Sequence, residues 1–235
     1  MGFLGKLRWE KQKRSQRAHY EEEVKKAEAR KQGQIEPLFQ PLQALWDSQR
    51  GRCVILGAEV QPSILDRLNH ECTLCSAAGW EKLKKTGWQP TYLGIQSPSM
   101  LEQIKEYIDK IPEQGILAGD NLTIPSPTPK NWIAYPYLGV YKYYCNEYDT
   151  HHVKFSGDAL EVVYDGYDTV YSLMQIAVYL GFTDLVLVGC GCCHPQEEKM
   201  QSAFRTAKQY ANTHGIHIYN GTPGETDDIF PLFSL

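Results

Sequence analysis

Several residue groups in this chain have the side chains needed for chemistry. His194 closes the turn Cys190-Gly191-Cys192-Cys193-His194. Its imidazole titrates near neutrality and can take the proton of an attacking hydroxyl. A solvated turn histidine is the plainer reading of the same ring, since the sequence offers no orienting partner. A tyrosine-rich tract holds Tyr141, Tyr143, Tyr144 and Tyr148, whose phenols can donate to a departing phosphate oxygen. Half-buried rings with wetted hydroxyls are the plainer alternative. His151 and His152 are adjacent, so on a strand they face opposite ways and only one can enter a site. Asp165, Asp168 and Glu59 are the acids that could hold Mg²⁺ around phosphates. Cys72-x-x-Cys75, together with Cys192 and His194, offers the thiolate and imidazole ligands that suit zinc, although small thiols are also ordinary buried strand residues.

The stretch Val162–Pro195 is what would gather these groups. Asp168 or Thr169 can cap a helix whose apolar residues Val170, Leu173, Met174, Ala177, Val178 and Leu180 recur at three- and four-residue spacing. Gly181 ends it. Leu185 to Val188 is a continuous apolar run of the kind found in a parallel strand covered on both faces. Gly189, Cys190 and Gly191 then lie at the strand's carboxyl end, where open α/β sheets bind ligands. Upstream, Cys53 to Gly57 reads as a buried strand running into a glycine turn, where a missing Cβ allows close approach to a ligand. Ala58 and Glu59 follow, and Pro62-Ser63 opens a helix with Ile64, Leu65 and Leu68 on one side. Further strands are expected at Cys72–Ala77, Thr91–Gln96, Gly115–Ala118 and Ile216–Tyr219, with helices over about 99–111 and 197–213. Strands alternating with helices predict a Rossmann-like α/β fold, a mostly parallel sheet covered by helices on both faces. Residues 121–132 read as a proline-rich loop, and residues 135–152 as an aromatic tract. The apolar tail should dock back on the body.

Charge divides the chain. Its net value of −4 conceals a +5 segment over residues 1–31, with ten Lys/Arg and five Asp/Glu, and −9 over the remainder. An acidic body of this kind is not a nucleic-acid binder. Residues 1–36 are expected to form a basic helical arm and 37–235 the Rossmann-like domain. Phe3, Leu4, Leu7 and Trp9 lead the arm, which could lie on an anionic membrane or serve as a solvated helix or homo-oligomer contact. The sequence holds no long apolar run and no signal peptide, and its seven cysteines suit reduced thiols. Together these point to a cytoplasmic protein, with contact at the inner membrane as one reading. No GxGxxG or Walker lysine is present.

Four segments in order, GRCVILG with Pro62-Ser63 downstream, GWQPTYLGIQ, VVYDGYDTVYSLMQIAVYLGFTDLVLVG and AKQYANTHGIHIYNGTPGETDDIFP, resemble the 6-hydroxymethylpterin diphosphokinase MptE-like family. That family's fold is similar to bacterial sialyltransferases that use CMP-activated sugars. The resemblance spans about Gly51 to Pro231. It implies a transferase of surface polysaccharide biosynthesis that binds a nucleotide sugar, CMP-linked by preference, and a glycan acceptor, with no other cofactor. It places the substrate against Gly57, Ala58, Pro62, Ser63, Ser76, Asp168, Thr169, Gly189, Cys190 and Gly191, with His194 and Tyr148 in catalytic positions. The family name suggests a second activity, pyrophosphoryl transfer to a pterin from ATP and Mg²⁺. Four departures stand out: the AEVQ spacer between Gly57 and Pro62, Ser76 and Ala77 where an asparagine is expected, Cys190-Gly191 where an acid normally follows Gly189, and the family's long insertion after that strand, which carries a catalytic histidine in the sialyltransferase-like members, shortened to CCHPQ with His194 as its remnant. A binding or scaffold protein that kept the crevice and lost catalysis would show such changes.

Overall fold

A computed structural model of the chain describes residues 3–110, 115–127, 129–139, 153–191, 198–222 and 229–235. Its centre is a parallel sheet of seven strands: β1 (Arg52–Leu56), β2 (Cys72–Ser76), β3 (Tyr92–Ile95), β4 (Ile116–Gly119), β5 (Trp132–Tyr135), β8 (Asp184–Val188) and β9 (His217–Asn220). Their order across the sheet is β5-β4-β3-β2-β1-β8-β9. The short strands β6 (Tyr137–Leu138) and β7 (Val163–Tyr164) pair separately, also in parallel. The helices are α1 (Phe3–Lys31), α2 (Gln40–Gln43), α3 (Ala77–Leu83), α4 (Pro98–Ile104), α5 (Thr169–Leu180) and α6 (Glu198–His214). The Rossmann-like α/β architecture expected from the alternating pattern is therefore present.

Each strand sends successive side chains to opposite faces, and the buried residues split accordingly into two cores. Cys53, Ile55, Leu74, Leu117, Leu185 and Leu187 pack under α5 and α6. Val54, Leu56, Cys75, Leu93, Ile95 and Val186 pack under α3 and α4. Both faces are covered, which is why the strands read as unbroken apolar runs. Apolar on nearly every side, α5 is also covered outwardly by residues 153–164: the Gln175 amide accepts from Ser156 N (3.1 Å) and Tyr164 N (3.0 Å) and donates to Tyr164 O (2.8 Å). A fully buried glutamine thus behaves like a strand neighbour to that segment.

Several local expectations shift. The helix expected at Pro62 is a 3-10 helix, Pro62–Arg67, and α4 gives way at Lys105 to another 3-10 turn. β5 arises inside the tract read as loop and aromatic segment. It is an edge strand of four residues with Pro136 immediately after it, a place where sheets tolerate proline. The tail docks as expected: Phe230 is buried, Asn220 bridges to Leu232, and Lys208 donates to the Ile229 carbonyl.

The carboxyl-terminal half of α1 rests on the body. Ala27 packs with Leu138 and Val162 between Tyr20 and Tyr164. Arg30, 5% exposed, donates to Glu161 O (2.9 Å) and Glu36 Oε1 (3.0 Å), and its guanidinium lies 5.4 Å from the Phe39 ring centroid. Among the described residues no helix is long and apolar enough to cross a membrane.

Candidate functional site

The sheet order reverses between β1 and β8, because the chain leaves β1 toward β2 and later returns to β8 on the other side. In open α/β folds ligands bind at the carboxyl ends of the strands flanking such a switch. Here that point is closed by backbone. A Cβ added to Gly57 would overlap the Gly189 carbonyl oxygen and lie 2.7 Å from Cys190 Cα, and one on Gly79 would lie 2.5 Å from Gly57 O. Gly57 N donates to Val188 O (2.9 Å), Glu59 N to Gly189 O (2.8 Å), and Gly189 N to Thr222 Oγ1 (3.0 Å). Gly189 has φ +62° and itself faces the Val60 backbone. The bare Cα atoms of Gly57 and Gly189 therefore face protein, which corrects the expectation that the first glycine turn is open to a ligand. Cys190 is likewise buried, its thiol directed at Ile55 O and Val188 O. Ala58, Glu59, Pro62 and Ser63 remain exposed and Gly191 partly so.

α5 begins at the same edge. It runs against the strands, with Ser172 beside Gln96 just past the carboxyl end of β3 and Gly181 beside Gln49 near the start of β1. Asp168 is its N-cap and accepts from Val170 N at 2.7 Å, with Thr169 the first helical residue. Burial pushes the Asp168 carboxyl above its ordinary range. The Val170 N–H opposes that shift, and the nearby charges of Asp165 and Glu59 reinforce it. Three acids around one helix terminus make a poor place for a bare phosphate, since the helix amides that would attract an anion already meet a carboxylate. They suit hydroxyl and amine donors instead. The loop before α5 is tightly held: Tyr167 adopts φ +74°, its N–H donates to Asp165 Oδ1 (2.8 Å), and Gly166 leaves no room for a Cβ against the Tyr171 ring.

Beside this terminus lies a polar network that the sequence reading missed. Ser172 Oγ and Tyr137 Oη both meet the Gln96 side chain, at 2.5 and 2.9 Å. Asp165 also neighbours the Tyr137 phenol, which burial and that carboxylate push far up. Asp120 Oδ1 accepts from Tyr137 N (2.9 Å), and Asn121 Nδ2 donates to Gln96 O (3.0 Å). Burial also raises the Asp120 carboxyl. Gln96, Asp120 and Tyr137 each come just after a buried strand, so position at the carboxyl edge was the signal that could have found them.

The other expected residues scatter. Ser76 caps α3 by accepting from Gly79 N (3.1 Å). Cys72 and Cys75 sit three residues apart on one strand and pack into opposite cores, Cys72 at the amino end of β2, away from the crevice edge. They cannot share a metal, which removes half of the zinc set, and among the described residues no group of three or more His, Cys, Asp or Glu is placed to hold an ion. His194, Cys192, Tyr148, the other tract tyrosines from Tyr141 to Tyr144, and His151-His152 lie outside the described residues.

No protein-family model matches the sequence, and no curated protein does. Among solved structures, the chain is similar to the MAf glycosyltransferase from Magnetospirillum magneticum AMB-1, with a TM-score of 0.54 at 12% sequence identity. The match covers 80% of this chain and 34% of the other, so the chain spans about a third of that protein's length. Likeness at this identity establishes the shared Rossmann-like α/β fold.

Proposed function

We propose that the chain is a glycosyltransferase-type domain that binds a nucleotide-activated sugar, CMP-linked by preference, along the carboxyl edge between α5 and the ends of β3 to β5. The observation that carries the reading is the fold shared with a glycosyltransferase, joined to a carboxyl edge rich in groups that accept from hydroxyls. Asp168 and the exposed Glu59, with Asp165 buried behind them, suit the hydroxyls and amines of a sugar or nucleoside better than its phosphate, for the electrostatic reason given above. In this scheme an acceptor hydroxyl attacks the anomeric carbon, the bond to the nucleotide phosphate breaks, and the hydroxyl proton passes to His194. Tyr148 donates to the departing phosphate oxygen. No metal is required.

One rival is a nucleotide bound with Mg²⁺ for pyrophosphoryl transfer, in which an ion carried on the phosphates would offset the nearby carboxylates, which do not themselves group to hold one. Thermal unfolding with CMP, CMP-sugars, UDP-sugars, and ATP with Mg²⁺ separates the two. A ligand at a hundred times its Kd stabilises the fold by about 2.7 kcal/mol. For a domain of this size that raises Tm by about 5–11 °C. A shift with CMP-sugar, and loss of its turnover in His194→Ala, supports transfer. A shift confined to ATP with Mg²⁺ selects the rival, and no shift with any nucleotide rejects both in favour of a scaffold.

A further inference from the structure

The helix α1 changes character midway. Residues 20–31 carry four Lys/Arg and four Asp/Glu, and Tyr20, Glu23, Val24, Ala27 and Arg30 turn inward at the spacing of a single helical face. This half is charge-balanced by its own ladder, Lys26 pairing with Glu22 (3.2 Å) and Glu23 (2.8 Å). Residues 3–19 carry six Lys/Arg against the single acid Glu10. From Trp9 to His19 the described side chains are exposed, apart from a half-buried Gln16. Phe3, Leu4, Leu7 and Trp9 all fall within the first nine residues. The fold therefore holds one half of a long helix, and ahead of it lies a basic half whose described side chains are largely in solvent.

We infer that residues 3–19 bind the surface of an anionic phospholipid membrane, the leading apolar residues entering the headgroup layer and the Lys/Arg side chains meeting lipid phosphates. Charge complementarity selects an anionic partner. Large apolar residues with a tryptophan select a lipid interface, where an amphipathic ring is favoured, over a nucleic-acid backbone, which the −9 body would also repel. A coiled-coil partner would need an apolar seam, and residues 10–19 contain only Ala18 as an apolar residue. The docked half of α1 approaches the carboxyl edge: Ala27 packs with Leu138, the residue after Tyr137 of the polar network. If the transferase reading above holds, the acceptor is a glycan carried on a membrane lipid.

The test is co-sedimentation of the full chain with phosphatidylcholine vesicles, with and without phosphatidylglycerol, at low and high salt. Binding is expected only with the anionic lipid and should weaken with salt. Replacing Lys6, Arg8, Lys11 and Arg14 with Gln keeps good helix formers and removes four charges, each contributing roughly fivefold near an anionic surface. Vesicle affinity should fall by at least about fiftyfold, with unchanged far-UV circular dichroism and unchanged nucleotide thermal shifts. Trp9→Ala should weaken binding further. Equal binding to neutral vesicles, a fourfold variant that binds like the native chain, or self-association that the four substitutions abolish without any lipid binding would each overturn the proposal. Because the readout is vesicle binding, its failure is separate from any failure to find a nucleotide ligand.

Discussion

Replacing Gly57 with Ala tests whether the switch point between β1 and β8 is closed. The added methyl would overlap the Gly189 carbonyl oxygen and stand 2.7 Å from Cys190 Cα and 2.9 Å from the Gly189 carbonyl carbon. All of these are backbone atoms, so no side-chain rotation can relieve the clash. The loop after β8 has to move, and Gly57 N to Val188 O and Glu59 N to Gly189 O are strained with it. Overpacking of a filled interior costs roughly 1–3 kcal/mol, and an immovable neighbour places this case at about 3 kcal/mol. At about 2–4 °C per kcal/mol for a domain of this size, Tm should fall by about 6–12 °C in thermal unfolding followed by circular dichroism. Gly87→Ala is the control. Its φ is +78° but a Cβ there meets nothing within 4 Å, so only backbone strain, of order 1 kcal/mol, applies. A Gly57→Ala protein that melts within the control's range would refute the close packing and restore the turn as a surface open to ligand.

Two further outcomes follow from charge and burial. Asp168 has a folded-state pKa above its unfolded value, so the folded protein holds that proton more tightly. The resulting stability is present at low pH and is lost as pH rises through the raised folded value. Asn is an equally good N-cap and carries no charge, so Asp168→Asn should gain stability relative to the native chain between about pH 4 and pH 7. Urea midpoints measured at both ends of that range check it, and a variant that loses ground as pH rises would contradict the burial argument. Burial likewise pushes the thiols of Cys53, Cys75 and, less completely, Cys72 upward. Iodoacetamide labelling read peptide by peptide should mark Cys72 before Cys53 and Cys75. Early labelling of Cys75 would show that the β2 core opens.

Much of the architecture was legible because period and burial speak together in a covered parallel sheet. α5 and β8 could be placed from Val170, Leu173 and Ala177 followed by Leu185–Val188, with Asp168 and Gly181 as punctuation. β5 was hidden because an edge strand can be brief and bounded by prolines, which removes both signals. The site was less legible for a different reason. Gly57 could be seen to need a bare Cα, but the sequence could not say whether ligand or protein would occupy the space, and the occupant is Gly189, far along the chain. Cys72 and Cys75 looked like paired ligands until the pleat sent them to opposite faces. Gln96, Asp120 and Tyr137 are unremarkable singly and acquire meaning only where three strand ends meet.

The order of the strands also governs how the chain assembles. β1 is hydrogen-bonded to β2 on one side and to β8 on the other, with Arg52 opposite Asp184 and Leu56 opposite Val188. During synthesis the run from β1 to β5 emerges first, and the apolar strand Cys53–Leu56 then waits with one edge open until the segment beginning at Asp184 appears. Contacts so distant in sequence slow folding, and an uncovered apolar edge invites pairing with other chains in the interval. A circular permutant that begins ahead of α5 would deliver β8 before β1 and shorten that vulnerable period without altering a single native contact in the sheet.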